Sequence, residues 1–256
     1  MLILLPPSET KRVGGAGVLR VETLRGGEEL SDVRAAVRDA LVELSADPAA
    51  AAKPLKLGVK NQGELDHNLN IGESGVMPSI ERYTGVLYDA LDAQSLDRSA
   101  RSWIDARVLI QSALFGLIRA SDEIPAYRLS AGSRLPALGE PLKRVWSRAH
   151  DLVELENGDL VLDLRSKDYG ALAPLPAGVG YFLNVVQRGP DGAVRALNHF
   201  NKAAKGDLVR RLATTNAGAR TAEELVEWGA SAGLELSVNE RDREIVLVTE
   251  LGAPKR

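Results

Sequence analysis

The sequence predicts a mixed α/β protein in which a central sheet is flanked by helices. Short apolar runs, such as residues 2–5, stop at turn residues and indicate buried strands. Residues 30–44 place leucine and valine at helical spacing, with charges on the other face. The 256-residue chain shows no internal repeat and no interdomain linker, so we expect a single domain over residues 1–256.

The next elements follow from the same patterns. Residues 107–116 are typical of a buried strand that ends at a glycine. Pro141 in a first helical turn indicates a short helix over residues 141–150. Apolar runs at residues 160–164 and 180–187 indicate two further strands.

The last third of the chain continues the alternation of strand and helix. Residues 193–200 are expected to be a strand, joined to the preceding one by Arg-Gly-Pro-Asp-Gly at residues 188–192, a strong hairpin signal. Residues 203–212 are expected to be helical. Thr221 and Glu224 form a capping box that opens the final helix. A closing hairpin is expected from residues 234–238 and 244–249.

The composition excludes several classes of function. Apolar residues make up 45% and charged residues 26%, as in ordinary globular proteins. The chain has no cysteine, and its histidines, His67, His150 and His199, are far apart, so no metal site and no cofactor is predicted. No P-loop occurs, and Arg20 stands where a dinucleotide fingerprint needs its third glycine. A lysine nucleophile stays open at Lys167 or Lys202.

The sequence also predicts where the protein is found. No apolar run approaches the length of about 18 residues that a membrane span needs. The apolar start of the chain is too short for a signal peptide and has no basic segment before it. We therefore expect a cytoplasmic protein without a membrane partner, and its oligomeric state stays open.

Positive charge is concentrated in parts of the chain, although the net charge is −3. Residues 195–220 contain six basic side chains against one acid, Asp207. Residues 98–148 contain nine basic side chains against four acids. Such segments are usually solvated helix faces, but they are also the kind of surface that meets a phosphate backbone.

Four polar loops follow predicted strands, at residues 7–12, 116–122, 166–169 and 201–206. Ligand sites in α/β sheets gather at the carboxyl ends of the strands, so we expect these loops to converge on one basic pocket. Such a pocket would suit an enzyme acting on a nucleotide or nucleobase. The candidate catalytic residues are Ser8, Lys11, Lys167, Asp168 and Tyr169.

Four blocks of the sequence resemble the bacterial YaaA family, the peroxide-stress proteins. The blocks are Met-Leu-Ile-Leu-Leu-Pro-Pro-Ser-Glu-Thr-Lys at residues 1–11, Leu-Ile-Gln-Ser-Ala-Leu-Phe-Gly-Leu-Ile-Arg at 109–119, Leu-Asp-Leu-Arg-Ser-Lys-Asp-Tyr at 162–169, and Phe-Asn-Lys-Ala-Ala-Lys-Gly at 200–206. Their order and spacing span nearly the whole chain. The central block departs from the family pattern, because Ala113 replaces a glycine and Phe115 a tyrosine.

The resemblance implies a YaaA-type α/β fold containing a helix-hairpin-helix element. It also implies binding to double-stranded or junction DNA and a role in limiting oxidative DNA damage. Lys202, Lys205 and Arg210 are expected to face an anion from the start of one helix. An enzyme and a scaffold without chemistry are the alternative functions. The candidate DNA-phosphate contacts are Lys11, Arg119, Arg128, Lys202, Lys205, Arg210 and Arg211.

Overall fold

The central sheet of the computed structural model is built from short apolar strands. The structure describes residues 1–150, 160–188, 194–196 and 201–249, without the side chains of residues 59, 60 and 194–196. The strands are β1 Leu2–Leu5, β2 Met77–Pro78, β3 Val108–Ser112, β4 Gly116–Arg119, β5 Glu123–Ile124, β6 Val161–Asp163, β7 Tyr181–Arg188, β8 Val194–Ala196, β9 Glu235–Asn239 and β10 Glu244–Val248.

Eight of these strands form one sheet in the order β4-β3-β1-β6-β7-β10-β9, with β8 paired to β7. Strands β3, β1, β6, β7 and β10 run parallel, whereas β4, β8 and β9 are antiparallel to their neighbours. β1 is central and wholly buried, with Ile3 paired to Val108 on one side and to Leu162 on the other. The carboxyl ends of β1, β3 and β6 therefore meet at one edge of the sheet. A separate two-stranded sheet pairs β2 with β5.

Helices pack against this sheet and supply most of the remaining core. The α-helices of the described residues are α1 Ser31–Ser45, α2 Pro48–Ala52, α3 Leu65–Leu69, α4 Ser79–Arg82, α5 Val86–Leu91, α6 Arg98–Arg107, α7 Leu142–His150, α8 Lys167–Gly170, α9 Asn201–Thr214 and α10 Ala222–Ser231. Burial of Val37 and Leu41 on α1 shows why the helical spacing of the sequence was informative.

The mixed α/β fold expected from the sequence is confirmed. The N-cap expected at Thr221 is present, since Thr221 Oγ1 accepts from Glu224 N at 3.2 Å. The Glu224 carboxylate accepts at 2.7 Å from the backbone N–H of Arg220, one residue before the N-cap, and not from that of Thr221. The closing hairpin is present as the antiparallel pair β9 and β10. The hairpin of β7 and β8 is present as well, while its turn at residues 189–193 and the expected continuation to residue 200 lie outside the described residues.

The expected strand over residues 107–116 is wrong in its extent. Arg107 ends α6, the strand β3 stops at Ser112, and Gly116 begins the antiparallel strand β4. The chain reverses there because Ser112 Oγ accepts from the backbone N–H of Phe115 at 3.0 Å and because Gly116 takes a φ of 73°. The central block is thus a β-hairpin, and the helix-hairpin-helix element implied by the resemblance is not confirmed.

Helices α9 and α5 pack against each other at very short distance. Gly206 of α9 lies so near the Leu87 carbonyl that a Cβ atom at residue 206 would be 2.1 Å from the Leu87 oxygen. Only glycine permits this contact. In the part of the chain that the structure describes, no helix has the length and apolar character that crossing a bilayer requires.

Candidate functional site

Three of the four expected polar segments meet at a cavity of about 420 Å³ at the carboxyl ends of the parallel strands. The third, residues 201–206, was expected to be a loop and is instead the first part of α9. The other two meet because β1 and β6 are adjacent parallel strands that end at the same edge of the sheet, so the segments that follow them start side by side. The start of α9 closes the third side. The lining residues are 6–10 after β1, Leu164, Ser166 and Tyr169 after β6, Asn201, Lys202 and Lys205 of α9, and 84–88 at the start of α5.

Hydroxyl groups from two distant segments form one side of the cavity. Ser8 Oγ lies 3.3 Å from Thr10 Oγ1, and Thr84 Oγ1 donates to Thr10 Oγ1 at 3.0 Å. Gly85 adopts a φ of 94°, which turns the chain into α5 immediately beside these hydroxyls. The arrangement presents hydrogen-bonding groups suited to a sugar or phosphate oxygen.

Two lysines of α9 face the cavity, one turn apart. Lys202 is exposed, whereas Lys205 is 7% exposed. Lys205 Nζ donates to the Leu164 carbonyl at 2.9 Å and lies 5.2 Å from the centroid of the Phe182 ring. Burial, and then the charge of Lys202, lowers the pKa of the Lys205 amine to about 8 against the pull of Asp163. The pair gives the cavity a positive potential, and the N-terminus of the 14-residue helix α9 adds to it.

Lys11 lies behind the loop that follows β1 and not among the lining residues. Its Nζ donates to the Ser8 carbonyl at 3.0 Å and to the Glu9 carbonyl at 3.2 Å. The amine also lies 4.0 Å from the centroid of the Tyr127 ring. Burial, and then the nearby guanidinium of Arg128, lowers the pKa of Lys11 to about 7. Lys11 therefore stabilises the backbone conformation of the loop after β1, which lines the cavity.

Tyrosine hydroxyls connect the β1 loop to the end of β3. The hydroxyl of Tyr127 lies 2.8 Å from that of Tyr83 and 2.8 Å from Ser112 Oγ. Tyr88 donates its hydroxyl to the Pro6 carbonyl at 2.8 Å, which joins α5 to the same loop. The Tyr88 contact therefore fixes two lining segments of the cavity relative to each other.

The end of β6 is fixed by a buried ion pair. Arg165 is 1% exposed and contacts Asp163 at both oxygens, with Nη2 at 2.7 Å from Oδ2 and Nε at 2.9 Å from Oδ1. A third contact runs from its Nη1 to the Ala173 carbonyl at 2.9 Å. Because Leu164 lies between the two partners, the pair holds the carbonyl that binds Lys205.

The structure separates the candidate catalytic residues. Ser8 and Tyr169 line the cavity, and burial raises the pKa of the Tyr169 hydroxyl to about 12. Lys167 and Asp168 lie exposed on α8, outside the lining. The cavity thus brings Ser8 and Lys202 together with Ser166 and Tyr169, and Lys167 and Asp168 are not among its lining residues.

The second loop, residues 116–122, does not join the cavity. β4 is antiparallel to β3, so its carboxyl end lies at the opposite edge of the sheet. There Asp122 Oδ2 accepts from the backbone N–H groups of Arg25 and Arg119, both at 2.9 Å. The expectation of four converging loops is therefore corrected to three, and Arg119 lies away from the cavity.

The basic side chains expected to face one anion from α9 point in different directions. Arg210 Nη1 donates to the carbonyls of Leu91 at 2.8 Å and Asp92 at 3.0 Å, at the end of α5. Arg211 Nε contacts Asp207 Oδ2 at 2.7 Å. The reason is helical geometry, since residues five and six positions after Lys205 lie on other faces of the helix. Only Lys202 and Lys205 of this group reach the cavity.

Arg128, the remaining candidate phosphate contact, is 6% exposed. Its guanidinium contacts Glu9 Oε2 at 3.2 Å and Glu64 Oε2 at 3.1 Å. The positive charge of Arg128 is thus paired with two carboxylates, and the pair with Glu9 stabilises the loop after β1. A contact from Arg128 to DNA stays a prediction, as it does for the other basic residues.

Residues 84–88 and the burial of Lys205 were not predicted from the sequence. Gly85 was the available signal for the first, because a glycine between a threonine and a helical run often marks a sharp entry into the helix. No sequence signal reports that Lys205 is buried, since its partner Leu164 is 41 residues away. In the described residues, no cluster of three or more His, Asp or Glu side chains could hold a metal ion.

The fold defines an α/β protein with a cavity, lined in part by two lysines, at the carboxyl ends of its parallel strands. The chain belongs to the family whose model is described as peroxide stress protein YaaA, which matches residues 1–240. This membership supports a role in the peroxide stress response.

The chain is also similar to individual bacterial proteins, two of them over nearly its whole length. A UPF0246 protein of Corynebacterium efficiens is 40% identical over 247 residues, covering 95% of this chain and 98% of the relative. A UPF0246 protein of Streptomyces coelicolor is 39% identical over 239 residues, covering 92% of each. An uncharacterized protein of Campylobacter jejuni is 33% identical over 157 residues, covering 59% of this chain and 60% of the relative.

Proposed function

We propose that this protein serves the peroxide stress response by binding and acting on a phosphate-bearing nucleotide in the cavity between β1, β6, α5 and α9. The observation that carries the proposal is that one cavity is lined both by Lys202 and Lys205 and by the hydroxyl-bearing residues Ser8, Thr10 and Thr84. Cations attract the phosphate, and the hydroxyls suit the sugar.

The size and position of the cavity support a small ligand. Its volume of about 420 Å³ falls in the usual range of small-molecule sites, about 300–1,000 Å³. Ligands of α/β sheets bind outside the carboxyl ends of parallel strands, where this cavity lies. The lowered pKa of Lys205 is the kind of perturbation found in active sites, because proton transfer and nucleophilic attack need groups that titrate near neutrality.

Isothermal titration calorimetry with adenosine 5′-monophosphate tests the proposal. The variant Lys202→Ala should weaken binding by roughly tenfold or more, since a hydrogen bond to a charged group contributes about 1.5–3 kcal/mol. Lys167→Ala is the matched control, because Lys167 is exposed on the neighbouring helix but does not line the cavity. Absence of binding to the wild type, or equal losses in both variants, would overturn the proposal.

A second candidate function is binding to the phosphate backbone of duplex or junction DNA. It is favoured by the exposed face of α7, which carries Lys143, Arg144 and Arg148. Arg148 pairs with Glu140, whereas in the described part of the chain Lys143 and Arg144 have no ion-pair partner. Several cations on one helix face suit contacts to successive phosphates without base recognition.

Fluorescence anisotropy at several salt concentrations distinguishes the two candidates. Replacing Lys143, Arg144 and Arg148 by alanine should weaken binding to all DNA sequences alike and lower the salt slope by about one unit per lost contact. The same variant should bind adenosine 5′-monophosphate as the wild type does. Unchanged affinity and slope would remove α7 as a DNA surface.

A further inference from the structure

Lys205 differs from an ordinary phosphate-binding lysine in its surroundings. It lines the cavity, yet it is 7% exposed and lies one turn from Lys202 on the same helix. The contact between Gly206 and the Leu87 carbonyl fixes that part of α9 in place. The Lys205 side chain is therefore held in place at the cavity wall, unlike an exposed lysine side chain that is free to move.

One hydrogen bond orients this amine. Nζ donates to the Leu164 carbonyl at 2.9 Å, and Leu164 itself lines the cavity. An ammonium group has three N–H bonds, and within the described residues this is the single hydrogen bond of the Lys205 amine. The amine is therefore tethered from one side and open to a ligand from the other.

The surroundings also raise the share of the neutral amine, which is the nucleophilic form, above that of an exposed lysine. Burial and the charge of Lys202 lower the pKa of Lys205 to about 8. Lys11 has a comparable pKa of about 7, but its Nζ is engaged by the carbonyls of Ser8 and Glu9 and covered by the Tyr127 ring. Lys205 is the better placed of the two to meet a ligand in the cavity.

We propose that Lys205 forms an imine with the open-chain aldehyde of a pentose phosphate whose phosphate is bound by Lys202. The proposal deepens the proposed function and rests on the cavity accepting a phosphate-bearing ligand. The amine nitrogen attacks the carbonyl carbon, and the carbinolamine loses its hydroxyl with a proton as water. A C=N bond replaces C=O without an oxidant or reductant, and addition of water restores lysine and aldehyde.

Two sources supply this chemistry. One is a free pentose phosphate, such as remains when a nucleotide loses its base. The other is an abasic sugar within a DNA strand. Both carry a phosphate next to a ring that opens to an aldehyde, so the same two lysines suit both.

Borohydride trapping tests the proposal directly, because it converts an imine into a stable secondary amine. The full chain is incubated with ribose 5-phosphate and borohydride, and the adduct is located by peptide mass mapping. A parallel arm uses an oligonucleotide with one abasic site, and the relative trapping rates show which source is preferred. We expect a single adduct in the wild type, on Lys205.

Two variants and a pH series separate chemistry from structure. Lys205→Arg keeps the positive charge but should abolish the adduct, whereas the control Lys167→Arg should leave it unchanged. Lys202→Ala should raise the ribose 5-phosphate concentration needed for half-maximal trapping without moving the adduct. The initial trapping rate should rise as pH increases from neutrality towards the pKa of about 8, which a purely structural lysine would not produce.

The outcomes are distinguishable even where Lys205→Arg fails to fold, because the adduct is mapped on the wild type. No adduct, or an adduct spread over Lys11, Lys167 and Lys202, overturns the imine. If calorimetry then shows that ribose 5-phosphate still binds with a dependence on Lys202, the proposed function stands alone. If neither binding nor trapping occurs, both proposals fall.

Discussion

Replacement of Gly206 by alanine tests the contact that shapes the cavity. A Cβ at this position would lie 2.1 Å from the Leu87 carbonyl oxygen and 3.0 Å from Ala90 Cβ. The contacted oxygen belongs to the backbone of α5 and cannot rotate away. The two helices must therefore separate by about 0.9 Å before the distance reaches 3.0 Å, the shortest that such contacts normally show.

The expected cost follows from two opposing terms. Overpacking of a well-packed site costs about 1–3 kcal/mol, and a rigid backbone contact belongs at the upper end of that range. Alanine in a helix interior regains about 0.5–1 kcal/mol relative to glycine. We expect Gly206→Ala to lower the free energy of unfolding by about 2 kcal/mol, as measured by urea denaturation.

The matched control is Gly170→Ala. Gly170 is also helical, but a Cβ there meets no atom within 4 Å, so this variant should be as stable as the wild type or slightly more stable. Displacement of α5 should also weaken binding of adenosine 5′-monophosphate in Gly206→Ala, since residues 86–88 line the cavity. Equal stability of Gly206→Ala and the wild type would refute the reasoning.

Three further predictions follow from buried groups. Burial lowers the pKa of His150 from 6.5 to about 3, so between these pH values the imidazole is protonated in the unfolded chain and neutral in the folded protein. The free energy of unfolding should therefore fall as pH drops from about 6.5 towards 3, by up to about 1.4 kcal/mol per pH unit. The variant His150→Gln should remove this pH dependence in urea titrations. Asp163→Asn leaves Arg165 buried without its carboxylate and should cost about 3–5 kcal/mol in the same assay; a loss below about 1 kcal/mol, typical of an exposed pair, would contradict this account. Treatment with a chelator should leave the melting temperature unchanged, and tightly bound zinc or iron after purification would contradict that expectation.

The sequence predicted those parts of the site that depend on local pattern. Apolar runs ending at polar residues placed β1 and β6 correctly, and parallel pairing then brought their loops together. The contact of Thr84 with Thr10 could not be predicted from the sequence, because tertiary packing brings together two residues that are 74 positions apart. The burial of Lys205 depends in the same way on the Leu164 carbonyl.

Local ambiguity explains the other differences. Residues 107–116 are mostly apolar and show no clear periodicity, so the sequence did not reveal the reversal between Ser112 and Gly116 that places Arg119 at the far edge of the sheet. Counting charges over residues 195–220 likewise gave no information on side-chain direction. Arg210 contributes to that count, yet its guanidinium binds carbonyls at the end of α5.

The central claim is that the strand-end cavity holds a phosphate-bearing ligand. The most direct measurement is a crystal structure of the protein grown with adenosine 5′-monophosphate. We expect the phosphate within hydrogen-bonding distance of Lys202, with the sugar beside the hydroxyls of Ser8, Thr10 and Thr84. A nucleotide bound elsewhere, or a cavity that stays empty at saturating nucleotide, would contradict it.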